Sequence, residues 1–122
     1  MTLVCGHIYV VWCSYARPQP KEKLYVCFCD QRSLFFFINT KAALLAEAQV
    51  ALAAADHPAL THDCFLDLSQ AVTFPPQHLA AAQDRGPISA DLTRRVRTAL
   101  EAGIKTLPKQ HLAWALQTLV VA

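Results

Sequence analysis

Between His7 and Trp12 the chain reads His-Ile-Tyr-Val-Val-Trp, which sets Ile8, Val10 and Trp12 against His7, Tyr9 and Val11 in strict alternation. That is the period of a strand, and both sets are apolar enough to predict cover on each face. Two more apolar runs follow at residues 23–29 and 34–39, with the polar stretch Cys29-Asp30-Gln31-Arg32-Ser33 joining them as a hairpin. A parallel return needs about a dozen residues or more, so strands this close must be antiparallel. Residues 41–55 then turn to alanine and leucine without an interior breaker, which predicts a helix ended by His57-Pro58. Phe65-Leu66-Asp67-Leu68 returns as a short strand closed by Phe74-Pro75-Pro76. Ser89 supplies a side-chain cap for a helix that carries Leu92, Val96, Ala99 and Leu100 at helical spacing and ends at Gly103. Pro108 opens a last helix with Leu112, Leu116, Leu119 and Val120 as its apolar stripe. The expected fold is mainly β with helices (α+β), a small antiparallel barrel with peripheral and C-terminal helices in a single domain over residues 1–122.

Composition changes this picture in three places. A chain of 122 residues can bury a core without staples. Its net charge of +2 excludes a general polyanion binder, so an anion site must come from clustering. The cations do cluster: Arg17, Lys21, Lys23, Arg32 and Lys41 flank the strands, while Arg85, Arg94, Arg95 and Arg97 gather toward the C-terminal half. The five cysteines fall largely in apolar runs, and Cys27-Phe28-Cys29 sends its two thiols to opposite faces, so buried reduced thiols are expected and no metal or cofactor. There is no cationic start before a hydrophobic signal core and no apolar run of about 18 residues, so neither export nor membrane spanning is expected, and the cytoplasm is the default location.

The candidate chemistry begins in Tyr15-Ala16-Arg17-Pro18-Gln19-Pro20-Lys21-Glu22-Lys23, three cations against one carboxylate, with prolines expected to hold the segment out of the sheet. Arg17 suits two-point contact with a phosphate better than a lysine does. Solvated surface charge is the competing reading for Arg17 and Lys23 alike. Thr40 closes the third strand, where its hydroxyl either meets an anion or, with Asn39, caps the helix expected from Lys41. His62-Asp63 stands just before the returning strand, either as an imidazole with an orienting carboxylate or as a polar turn in which Asp63 bonds local backbone. His7 reads as structural, and Phe35-Phe36-Phe37 as core with one ring available for stacking. The face formed by Arg94, Arg95 and Arg97 reads as the wet side of its helix, and the apolar stripe of the last helix as internal packing or a partner surface.

Taken in order, Gly6-His7-Ile8-Tyr9-Val10-Val11, the basic loop, the strand ending Ile38-Asn39-Thr40 and Arg85-Gly86-Pro87-Ile88-Ser89-Ala90-Asp91-Leu92 resemble the MazF/PemK-like toxins of toxin–antitoxin systems. The resemblance implies an SH3-like barrel and a metal-independent endoribonuclease for single-stranded RNA, working as a homodimer that a cognate antitoxin neutralises. It carries a catalytic pair onto Thr40 and onto Lys23, which stands where the family has arginine, with Arg17 and Lys21 in reach. His62 and Asp63 join this catalytic set as candidate proton-transfer groups, and Lys21, Arg32 and Lys41 are the expected RNA contacts. Prolines where the family has glycines, and lysine for arginine, also fit a second reading: a catalytically silent barrel that binds RNA or a protein.

Overall fold

The computed structural model describes residues 2–13, 21–40 and 48–121, with the backbone alone at residues 13, 21 and 22. Six strands, β1 (His7–Cys13), β2 (Lys21–Cys29), β3 (Leu34–Asn39), β4 (Gln49–Leu52), β5 (Cys64–Val72) and β6 (Gln83–Pro87), form one sheet in the order β4-β5-β3-β2-β1-β6. Among the described residues three helices accompany them: α1 (Pro76–Ala80), α2 (Ala90–Glu101) and α3 (Lys109–Thr118). Every pairing is antiparallel, giving the α+β class expected. Among the described residues the sheet is open, because β4 and β6 are its two edges and no ladder joins them.

Both faces are covered, as the alternation in β1 requires. On one face Ile8, Val26, Phe28, Phe36 and Leu66 pack beneath Leu92, Val96 and Leu100 of α2 and Ala115 of α3. On the other, Tyr9, Val11, Tyr25, Cys27 and Phe35 form a smaller aromatic core closed by Leu3, Phe74 and Leu79. This smaller core uses T-shaped contacts, among them Tyr9 with Phe35 at 6.0 Å and Tyr25 with Phe74 at 4.8 Å between ring centres. Cys5, Cys27, Cys29 and Cys64 are free thiols, and burial pushes Cys27 and Cys64 up from the usual thiol range.

Ser89 caps α2 as its sequence position implies, its Oγ accepting from the Leu92 amide at 3.1 Å. Gly103 then turns the chain out of the helix at a φ of +90°, in the left-handed region where a Cβ is costly. Leu119 is buried, but Val120 is not part of the apolar stripe: α3 ends at Thr118 and Val120 is 63% exposed.

Two expectations about segments are corrected. The helix expected over 41–55 is absent from its described part: residues 49–52 are β4, and Ala54–Asp56 is a single 3₁₀ turn, while residues 41–47 lie outside the described residues. Val50 and Leu52 point into the core and Gln49 and Ala51 away from it, so burial on a period of two overrides the helical propensity of the alanines. The end of the expected basic loop is also strand, because β2 begins at Lys21, opposite Cys13 of β1, two residues before the expected start at Lys23.

Candidate functional site

The ladder between β2 and β3 stops at the pair Tyr25 and Phe37, although β2 begins at Lys21 and β3 runs on to Asn39. Each strand keeps its outer partner beyond that point. β2 stays on β1 as far as Lys21 opposite Cys13, and β3 stays on β5 as far as Asn39 opposite Phe65. The sheet therefore forks into two paired ribbons, and the fork is a wedge with supported walls.

A cleft of about 230 Å³ fills this fork. Lys23 and Leu24 line it from β2, and Phe37, Ile38, Asn39 and Thr40 from β3 and its end. Its third side is the approach to β5, with Leu60, Thr61, His62 and Cys64. Three of the five expected catalytic residues, Lys23, Thr40 and His62, thus meet in one place although they are spread over forty positions of sequence.

The Lys23 ammonium lies over the Phe37 ring, 4.9 Å from its centre, and the ring is itself backed by Tyr25 at 5.3 Å. The His62 Nδ1 shares a hydrogen bond of 3.0 Å with the Thr61 hydroxyl. Thr40 is exposed at the mouth, and among the described residues its hydroxyl has no hydrogen-bond partner. Cys64 is buried on the cleft wall, where desolvation first and the nearby carboxylates of Asp63 and Asp56 next raise its thiol. A cation, a hydroxyl and an imidazole around an apolar-walled opening can bind an anion at the rim and move a proton there.

The remaining expected site residues go elsewhere. Asp63 turns away from His62 and accepts the Ala54 amide at 3.2 Å, beside the Asp56–Arg95 ion pair, as adjacent residues of an extended chain must diverge. Arg32 sits at the opposite end of the β2–β3 hairpin, roughly 20 Å along the strand from Lys23. Its guanidinium stacks on Trp114, 3.7 Å from the ring centre. Arg17 and Lys41 lie outside the described residues, as does the side chain of Lys21. Asn39 and Thr61 are cleft residues that the sequence reading did not place in the site; their signal was only adjacency to Thr40 and His62.

No protein-family model, curated protein or solved structure matches this chain. The site is read from its own chemistry.

His7 has the structural role expected. Its Nδ1 donates to Asp84 at 2.9 Å, and Asp84 also accepts from the Gly86 amide at 2.8 Å and from the Tyr9 hydroxyl at 3.4 Å. Desolvation works to raise the Asp84 carboxyl, but these donors outweigh it and hold the group below the usual carboxylate range. Gly86 adopts a φ of +94° there, which lets β6 turn its amide back onto Asp84.

Proposed function

We propose that this protein is a metal-independent endoribonuclease of the toxin type, cutting single-stranded RNA in the cytoplasm and held in check by a cognate antitoxin. The observation that carries the reading is the convergence of Lys23, Thr40 and His62 on the forked cleft. In this reading the open sheet is a divergent form of the SH3-like barrel of MazF/PemK-like toxins, and the active species is a homodimer.

The 2′-hydroxyl of the substrate attacks the adjacent phosphorus, the O2′–P bond forms and the P–O5′ bond breaks, leaving a 2′,3′-cyclic phosphate and a 5′-hydroxyl. In the tautomer that carries its proton on Nδ1, bonded to Thr61, His62 offers Nε2 to accept the 2′-hydroxyl proton. Lys23 stabilises the charge that grows on the non-bridging oxygens and donates to the leaving 5′-oxygen, while Thr40 hydrogen-bonds the phosphate. Arg17, six positions before Lys23 in the sequence, is the natural second cation. Asp63, bonded to backbone, takes no part.

Purified protein incubated with long single-stranded RNA in EDTA should yield fragments with 2′,3′-cyclic phosphate ends. His62→Ala should lower kcat by about 10²- to 10⁴-fold with the fold intact by circular dichroism. Uncut RNA across many sequences, from folded protein free of antitoxin, overturns the nuclease. The second reading, a silent RNA-binding domain, is favoured by one feature: Lys23 is already engaged on Phe37. It predicts salt-sensitive binding with intact RNA recovered throughout.

A further inference from the structure

We propose that the fork between β2 and β3 is a slot for a single extruded nucleobase, and that this slot chooses the base at which RNA is cut. The proposal rests on the RNA reading of the same cleft but adds a different interaction, with the base instead of the phosphate.

A fraying strand end would separate from every neighbour, whereas here β2 remains paired to Lys21 and β3 to Asn39 on their outer sides. The gap is therefore a fixed feature that ligand binding does not have to create, and preorganisation of this kind reduces the entropic cost of binding.

Strand edges carry N–H donors and C=O acceptors that a ladder normally consumes. Past Tyr25 and Phe37 no strand pairing joins β2 to β3 among the described residues, so no β2–β3 ladder consumes the donors and acceptors on their facing edges there. A nucleobase presents the complementary pattern on a rigid flat edge, and the order of donors and acceptors on that edge distinguishes one base from another.

Size and lining decide among occupants. A volume of about 230 Å³ falls below the roughly 300–1,000 Å³ of pockets for drug-sized ligands, which suits one ring system and not a length of chain. Leu24, Ile38 and Leu60 give the interior apolar walls, so a phosphate buried there would lose its hydration without compensation. Lys23, Thr40 and His62 share the lining of the same cleft. A base on the apolar walls leaves its ribose and phosphate to these polar groups, so that base choice and cutting act on the same nucleotide.

The test uses the full chain and the four ribonucleoside 3′-monophosphates, with ribose 5-phosphate as the baseless control, followed by amide NMR. One monophosphate should bind at least about tenfold more tightly than the others, with shifts at Leu24, Ile38 and Asn39, and RNA should be cut beside that same base. Asn39→Tyr, which fills the mouth from a strand position tolerant of aromatics, should remove the discrimination among the four monophosphates. Should that variant fail to fold, the wild-type titration decides alone. Equal binding of all four, or none, overturns the slot, and RNA cutting without base preference would then leave the nuclease standing. Base-selective binding without cleavage of any RNA keeps the slot and removes the nuclease.

Discussion

His57 shows how a single side chain holds two distant segments. It is buried at 4% exposure, its Nδ1 accepts the Ala59 amide at 3.0 Å, and its Nε2–H donates to the Gly86 carbonyl at 3.3 Å. Truncation leaves both main-chain groups without a partner in a place water reaches poorly. We expect His57→Ala to cost about 1–3 kcal/mol in urea unfolding, and a loss below a few tenths would contradict the bond assignment. At Lys23 the expectation is functional. Lys23→Ala should cut turnover by about 10²-fold, whereas Lys23→Arg should retain or raise it, because a guanidinium stacks on Phe37 and still offers two donors to a phosphate. An arginine variant as inactive as the alanine one would mean that the charge at this position does not act in the chemistry.

At the scale of elements, α2 and α3 are joined by more than apolar contact. Arg97 donates through one terminal nitrogen to the carbonyls of Leu116 and Leu119, both at 2.7 Å, so it caps the C-terminal end of α3 where orphan carbonyls gather. The arginines of α2 therefore differ: Arg97 and Arg95 are tethers, the latter bonded to the Ala51 carbonyl at 2.8 Å and to Asp56 at 3.0 Å. Arg97→Met keeps the stem and removes the bonds, and it should lower stability by about 1–3 kcal/mol. Gly103→Ala, which forces a Cβ into the left-handed turn, should cost about 1–2 kcal/mol; unchanged melting of either variant would refute the corresponding device. The edge strand β4 depends on Arg95 in another way, since that arginine occupies a carbonyl an edge would otherwise offer to another chain.

For the whole molecule, acid response follows from two carboxylates. The Ala53 amide and then Arg95 lower Asp56, and the donors around Asp84 lower that group against its desolvation. Depressed carboxyls stabilise the fold above the unfolded value, about 3.9, and that contribution is lost as pH falls through the folded values. Stability should thus drop as pH falls below about 4, and Asp84→Asn should flatten the drop; identical slopes for wild type and variant would rule out Asp84 as a contributor. Strands β1, β2 and β3 and helices α2 and α3 were legible in the sequence, because alternation at Ile8–Val11 and the Ser89 cap with Leu92, Val96 and Leu100 are local signals. Thr40, Lys23 and His62 were legible as residue types beside strand ends. Tertiary structure alone decided that residues 49–52 extend instead of coiling, since only pairing with β5 rewards Val50 and Leu52 for facing one core. It also decided that the polar run Gln83–Pro87 is a strand, held by main-chain pairing to β1 and by Asp84, with no apolar alternation to announce it. The fork has the same origin: where two strands stop pairing depends on what each does with its other neighbour, and that choice is non-local, while hydrophobic periodicity reports only which side of a segment is buried.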